Sequence, residues 1–376
     1  MKTLLSTDDT DLSIRTEVAQ DVLADQLDAL SVVTSYSHAL INTNINPVTS
    51  PPENWYSTLS ENLGTARGHG QTWLTDIAPK IGSVIPQSLI NYNNTFTAVA
   101  DEILRILGNK QSLSQSEKND IIDLIEATLA VIDEERSEID KVDHKIFTLS
   151  NDFVADHTRL VTGQNGAAEA VQLARAEQLK IENKIQELQT QLATARTKVT
   201  ASGIGLGLAI FIAVAAFALA VATGGVGLAV VGAVGVVGVG VAATFTGIFT
   251  AEISGLISEI AERQAALSNT KRQVAALTGL VETVSTLKSK NEDAKVALGH
   301  VKTMWETLAG KLDAVQKDLK GHKVDAAVAV QRMNLGRARA AWQQAAEFAQ
   351  KVQDLAGGTH LQPVLQHPTL HLAYAA

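Results

Sequence analysis

Residues 199–251 read VTASGIGLGLAIFIAVAAFALAVATGGVGLAVVGAVGVVGVGVAATFTGIFTA, and this stretch decides how the chain is organised. It contains no Asp, Glu, Lys or Arg, whereas charged residues are frequent on both sides of it. One helical crossing of a bilayer takes about 20 apolar residues, so the stretch is long enough for two crossings and a turn. We interpret it as a hydrophobic helical hairpin that can enter a membrane.

A turn divides the hairpin near its middle. Thr223, Gly224 and Gly225 separate a first arm, residues 201–222, from a second arm, residues 226–249. Adjacent glycines are typical of turns, and none of these three residues is charged. Because a charged loop would be costly to move through hydrocarbon, the uncharged turn allows the tip to enter the bilayer from one side.

The large apolar side chains of the two arms are predicted to contact lipid. These residues are Ile204, Leu206, Leu208, Ile210, Phe211, Ile212, Val214, Phe217, Leu219, Val221, Val226, Leu228, Val230, Val231, Val234, Val236, Val237, Val239, Val241, Phe245, Ile248 and Phe249. Such a surface must be covered in water, because soluble monomers seldom expose large contiguous apolar patches. We therefore expect a sheltered soluble form and release at a membrane, with Gly203, Gly247 and Gly255 as hinges.

Two other structures are compatible with this composition. Residues 226–241 are rich in Val and Gly, so the head could pair as strands, a β-tongue, in the soluble state. The hairpin could also be a buried core of a soluble protein, since long apolar helices occur in large cores. Against a permanently buried core, aromatic residues make up only 4% of the chain, too few to wrap so large an apolar surface.

Long amphipathic helices are predicted on both sides of the hairpin. Before it, a step of seven residues meets only apolar side chains: Ile125, Ile132, Ile139, Ile146, Phe153, Leu160, Ala167, Ala174, Ile181, Leu188 and Ala195. After it, the same step meets Ile253, Ile260, Leu267, Val274 and Val281, and later Val301, Leu308 and Val315. This period is typical of helices that pack along one apolar seam. We predict an all-α fold: an elongated five-helix bundle tail from residues 1–198 and 252–376, and a small head from residues 199–251.

Local signals predict where the helices before the long one begin and end. Apolar spacing indicates a first helix over residues 12–40. A second helix is predicted to start near Glu53, to bend between Pro79 and Pro86, and to end at Gly108.

Similar signals mark the third and the last helices. Ser114 and Glu117 have the spacing of a capping box, which predicts a helix start. The last helix is predicted over residues 326–355, before an irregular tail that follows Gly358.

Composition argues against several classes of function. The net charge of -9 is spread without a basic block, so no nucleic-acid partner is predicted. The chain has no cysteine, which removes thiolate catalysis and cysteine-based metal sites. His367 and His371 are separated by Pro368 and lack a nearby Glu, so no metal site is predicted there. We assign no catalytic residue and no cofactor, and predict that the protein is not an enzyme.

Two long amphipathic helices around an uncharged Gly, Ala and Val-rich hairpin, residues 201–249, resemble the cytolysin A superfamily of α-helical pore-forming toxins. The arrangement looks closest to the hydrophobic-headed B components of tripartite toxins, such as those of the haemolysin BL and non-haemolytic enterotoxin group and of Gram-negative bacteria. The resemblance implies a helical tail, a head that inserts into the target-cell lipid membrane, self-association into a pore, and partner toxin components.

The resemblance also implies a secreted, soluble protein that later enters a target membrane. The amino-terminal residues MKTLLSTDDTD have too short an apolar run for a cleavable signal peptide, so we expect another export route. Two alternatives share the sequence features. One is a membrane-anchored coiled-coil scaffold or sensor, and the other is a phage or secretion-system translocation protein.

Overall fold

Most of the residues described in this computed structural model are helical. The described residues are 4–42, 55–162, 211–212, 231–232, 234–235, 269–321, 325–357 and 362–363. The α-helices in these ranges are α1 (Thr16–Asn42), α2 (Trp55–Thr72), α3 (Ala78–Leu107), α4 (Gln115–His157), α5 (Asn269–Lys320), α6 (Ala326–Arg332) and α7 (Leu335–Gly357). A first π turn, Trp73–Ile77, joins α2 to α3, and a second π turn, Thr158–Thr162, follows α4. The predicted all-α class is confirmed.

Short strands occur within the hydrophobic stretch and in the tail. They are β1 (Phe211–Ile212), β2 (Val231–Gly232), β3 (Val234–Gly235) and β4 (Gln362–Pro363). Strand β1 pairs with β3, and β2 pairs with β4, both antiparallel.

The apolar period of the long helices is confirmed wherever side chains are described. From Ile125 to Leu160, every member of the series is at most 1% exposed, and so are Val301, Leu308 and Val315. The members from Ala167 to Ala195, together with Ile253, Ile260 and Leu267, lie outside the described residues. Burial along one seam is the packing that a seven-residue period predicts.

The predicted capping box is present at the start of α4. The Ser114 Oγ accepts a hydrogen bond from the Glu117 N–H at 3.3 Å, and the Glu117 Oε2 accepts one from the Ser114 N–H at 2.8 Å. Gly108 follows α3 with a φ of +47°, a backbone conformation that favours glycine. Both predicted helix boundaries are therefore confirmed.

The irregularity predicted between Pro79 and Pro86 lies slightly earlier in the chain. The Ala78 N–H donates to the Trp73 carbonyl, the i to i+5 bond of a π turn. Pro79 has no N–H to continue the ordinary helical bonding, so the widened turn directly before it has a physical cause. Pro86 lies inside α3, which continues through it.

The first helix begins later than predicted, at Thr16. Leu12 is buried, but it belongs to a segment in which Leu5 and Ile14 form an antiparallel bridge. The Asp11 Oδ1 accepts a hydrogen bond from the Ser13 N–H at 2.9 Å, a local turn that competes with helix formation. The prediction of helix from residue 12 was wrong for this reason.

The last predicted helix is two helices, α6 and α7, with a break at Asn334. Asn334 has a φ of +54°, which asparagine tolerates better than most residues. The Leu12 N–H donates to the carbonyl of Met333 at 3.2 Å, and the Asn334 Nδ2 donates to Asp11 Oδ2 at 3.1 Å. The amino-terminal segment therefore provides the partners that stabilise the break.

The chain forms two compact units. The first contains Met1–Leu27, Pro79–Phe147 and Asp293–Gly357. Its core holds an aromatic cluster in which the Tyr92 ring centroid lies 4.5 Å from that of Trp342 and 5.2 Å from that of Trp305.

A buried ammonium group ties the amino-terminal segment into the first unit. The Lys311 Nζ donates to the carbonyls of Ser6 and Asp11, both at 2.8 Å, and to that of Asp8. The Trp342 Nε1 donates to the Leu12 carbonyl at 2.9 Å. Carbonyl oxygens thus solvate a charge that burial would otherwise leave without water.

The second unit contains Asp28–Ala78, Thr148–Glu292 and Gly358–Ala376, and therefore includes the hydrophobic stretch. Trp73 is buried in it, and its Nε1 donates to the Thr34 Oγ1 at 3.0 Å. Helix α2 packs against the second π turn, Thr158–Thr162.

Candidate functional site

Four of the residues predicted to contact lipid have a described backbone: Phe211, Ile212, Val231 and Val234. The remaining members of that set lie outside the described residues: Ile204, Leu206, Leu208, Ile210, Val214, Phe217, Leu219, Val221, Val226, Leu228, Val230, Val236, Val237, Val239, Val241, Phe245, Ile248 and Phe249. The predicted turn, Thr223, Gly224 and Gly225, and the predicted hinges, Gly203, Gly247 and Gly255, also lie outside them.

Strand pairing brings together the two arms of the predicted hairpin where the structure describes them. Phe211 in the first arm is opposite Gly235 in the second, and Ile212 is opposite Val234. The antiparallel register is the one that a hairpin requires. At these positions the backbone is strand, as in the β-tongue alternative, and not the helix that we expected for the arms. Valine and its β-branched side chain favour a pleated backbone, which accounts for the difference.

The tail after Gly358 also reaches the second arm. Gln362 is opposite Gly232 and Pro363 is opposite Val231 in an antiparallel pair. Sequence reasoning predicted an irregular tail and gave it no role. Proline has no N–H to donate, and prolines in sheets lie at edges, so β4 is suited to end a sheet.

Among the helices described here, none is both long enough and apolar enough to cross a membrane. Within the same ranges, no group of three or more His, Asp or Glu side chains is arranged to hold a metal ion.

A charged cluster lies in the second unit, on α2 and at the end of α4. The His69 Nδ1 is 2.7 Å from the Asp156 Oδ2, and the His69 Nε2 is 4.0 Å from the Asp152 Oδ1. The Arg159 Nη2, in the second π turn, is 3.9 Å from the Asp156 Oδ1. Asp156 therefore contacts the His69 imidazole of α2 and the Arg159 guanidinium of the second π turn.

Burial dominates the electrostatics of this cluster. The side chain of Asp156 is only 2% exposed, whereas that of His69 is 22% exposed. Burial raises the pKa of Asp156 above its ordinary value, and the hydrogen bond from His69 and the charges of His69 and Arg159 oppose the rise. Ionisation of Asp156 therefore costs free energy, which its contacts with His69 and Arg159 offset only in part.

The second π turn continues the core of α4. Leu160 is fully buried and Val161 is 6% exposed, so two successive residues enter the core. The Thr158 Oγ1 donates to the Val154 carbonyl at 3.0 Å, which gives a side-chain bond to the backbone at the entry to the turn. This turn was not predicted from the sequence, because π turns have no simple sequence signature.

Helix α5 carries a polar residue in the core of the second unit. Asn291 is fully buried, and neither polar atom of its amide has a hydrogen-bond partner among the residues described. It lies four residues after Leu287 and three before Ala294, both buried on the same seam. This spacing would have identified Asn291 from the sequence as a buried polar residue in the helical repeat.

Comparison with known proteins identifies the type of fold. Residues 13–195 match the family model described as Bacillus haemolytic enterotoxin (HBL). No curated protein matches the sequence. Among solved structures, the HblL1 toxin component of Bacillus cereus is similar with a TM-score of 0.65 and 16% identity, over 92% of this chain and 98% of that chain.

Two further structures are components of tripartite α-pore-forming toxins. Soluble SmhA of Serratia marcescens has a TM-score of 0.64 and 12% identity, over 95% of this chain and 99% of that chain. Soluble AhlB of Aeromonas hydrophila has a TM-score of 0.59 and 12% identity, over 90% of this chain and 94% of that chain. At these identities the similarity shows a shared fold. Together with the family match, it confirms the predicted resemblance to α-helical pore-forming toxins.

Proposed function

We propose, from the confirmed resemblance to α-helical pore-forming toxins, that this chain is the component of a multi-part toxin that inserts residues 199–251 into a target membrane. The protein is first soluble in water and then changes conformation at the bilayer. There it assembles with further copies and with partner components into a pore. The uncharged stretch carries this proposal, because no charged side chain opposes its transfer into hydrocarbon.

The strand pairs favour a hairpin as the inserting unit. Phe211–Ile212 and Val234–Gly235 are antiparallel neighbours, which is the arrangement of two arms that leave and return on the same side. In water these four residues pair through their backbones, and β4 of the tail pairs with Val231 and Gly232. In a membrane every backbone group needs an internal partner, and a helical hairpin satisfies this within each arm.

The proposed role among toxin components is that of a B component. The wall of a water-filled pore needs a polar face, whereas residues 201–222 and 226–249 are apolar on all sides. A more amphipathic partner must then line the pore. SmhA and AhlB are both components of tripartite toxins. This similarity supports the expectation of partner components, but it does not indicate which component this chain is.

Liposome flotation tests this function. The full chain is expected to float with vesicles, and a chain that lacks residues 199–251 is expected to stay at the bottom of the gradient. Circular dichroism on both proteins checks that the helices are retained. Equal flotation of the two proteins would overturn the proposal.

A further inference from the structure

We propose that His69, Asp156 and Arg159 form a latch that holds the second π turn, Thr158–Thr162, and that release of the latch lets α4 continue as an α-helix through this turn. The inference rests on the proposed function for its biological use. Its structural part concerns only residues of the second unit.

The latch joins two helices and the turn through one carboxylate. One oxygen of Asp156 accepts from the His69 Nδ1 of α2 at 2.7 Å, and its other oxygen is 3.9 Å from the Arg159 Nη2 inside the turn. Helix α2 packs on the turn itself. Loss of the His69 contact therefore removes the polar bond that fixes Asp156 to the neighbouring helix.

The spacing of the second apolar position in the repeat differs between the two sides of the turn. Before it, each member of the apolar series is paired with a buried residue three positions later, as in Ile146 and Leu149 or Phe153 and Asp156. After it, two members of the series have their apolar neighbour four positions later instead: Ile185 follows Ile181, and Leu192 follows Leu188. A π turn adds one residue to the helical winding at this point.

Asp156 occupies a core position of this repeat that Val142 and Leu149 fill earlier in α4. An ionised group in such a position is expensive unless it is paired, so the helix end depends on His69 and Arg159. Glu135 is another acidic residue in this series, but Asp156 is the one that lies closest to the turn. A conformational change that separates α2 from α4 would begin there.

Conversion of the π turn to α-helix would rotate the chain that follows it. A π turn winds less per residue than an α-helix, and conversion of this turn rotates the chain beyond Thr162 by about 100° around the α4 axis. The chain beyond Thr162 leads to residues 199–251. The latch would therefore set which face of this connection is directed towards the rest of the second unit.

Hydrogen exchange on the full chain in solution, read by mass spectrometry, tests the latch. His69→Phe keeps a ring but removes the donor, and we expect exchange at Thr158–Thr162 to become roughly tenfold faster or more, the effect of losing a hydrogen bond to a charged group. His69→Asn keeps a donor at the position of Nδ1 and should exchange like the wild type. An unchanged exchange rate at Thr158–Thr162 in His69→Phe would overturn the proposal. An equal increase of the exchange rate in α3 would also overturn it, because the effect would then not be specific to the turn.

A matched control and a second variant complete the test. Arg105→Gln removes the exposed Arg105–Glu102 ion pair of α3 and should leave exchange at the turn unchanged. Deletion of Thr162, an exposed residue, removes the extra residue of the turn. We expect slower exchange at the rest of the turn in this variant, with no further effect of His69→Phe; faster exchange would count against the latch.

These measurements need no lipid, so they are separate from the test of the proposed function. Dye release from vesicles by the same variants connects the two. If His69→Phe opens the turn and changes the rate of dye release, the latch acts in insertion. If the full chain does not float with vesicles while the exchange results hold, the proposed function fails and the latch stands.

Discussion

Val231 is the residue at which one substitution tests membrane insertion most directly. It lies in the second arm, in β2. Val231→Glu places a carboxylate within the bilayer, which costs on the order of 2 to 4 kcal/mol per copy. We expect vesicle dye release to fall by roughly tenfold or more, since about 1.4 kcal/mol corresponds to a factor of ten.

The control for this variant makes the same change outside the head. Val296 is 55% exposed on α5, so Val296→Glu should fold and release dye like the wild type. Circular dichroism should show the same helix content in both variants. Full dye release by Val231→Glu would contradict the placement of this residue in lipid.

Asp156 provides a residue-scale test that depends on pH. Burial and the nearby Asp152 raise its pKa above 3.8, against the opposing effects of His69 and Arg159. The folded state therefore binds this proton more tightly than the unfolded state. The resulting stabilisation is complete below pH 3.8 and is lost as the pH rises through the raised pKa.

Asp156→Asn removes this titration while its amide oxygen still accepts from His69. We expect the urea midpoint of the variant to rise relative to the wild type between about pH 4 and pH 7, since only the wild type loses stability with ionisation. Denaturation followed by circular dichroism at both pH values measures the difference. A relative midpoint that falls with rising pH would contradict the burial argument.

At the scale of elements, the start of α4 depends on its capping box. A hydrogen bond from Lys110, together with those from Ser114, lowers the pKa of Glu117 to about 2. Ser114→Ala removes one cap and should destabilise the protein by about 1 kcal/mol. Urea denaturation measures this, with Ser112→Ala, outside the box on an exposed residue, as the control.

The tail strand β4 allows a second test of an element. A chain that ends at Gly357 loses the pairing of Gln362 and Pro363 with the second arm. We expect it to bind a hydrophobic dye more strongly in water, because part of the head loses its cover. Gln362→Ser keeps the backbone pairing and should bind dye like the wild type; equal binding by the shortened chain would show that β4 covers nothing.

Elements with local causes could be predicted from the sequence, and those with distant causes could not. The capping box depends on Ser114 and Glu117, which are three residues apart, and the end of α3 depends on Gly108 directly after it. The break at Asn334 depends on Asp11 and Leu12, which are far away in the chain. The lack of charge predicts a hairpin, but the sequence could not choose between helices and strands for its arms, because Val and Gly fit either backbone and the surroundings decide.

At the scale of the whole molecule, activity should require other proteins. We expect the purified chain alone to cause little haemolysis, because its arms have no polar face, and lysis to appear when proteins encoded beside it are added. Full lysis by the single protein would contradict the B-like role. The protein should also purify without detergent, which a membrane-anchored scaffold would not.

The buried tryptophans give each compact unit its own optical signal. Trp305 and Trp342 lie in the first unit, whereas Trp73 lies in the second, where its indole N–H is bonded to Thr34. A chain in which Trp55, Trp305 and Trp342 are replaced by phenylalanine would keep Trp73 as its single indole. Its emission wavelength would then report, in real time and without an added label, when the unit that holds the hydrophobic stretch admits water.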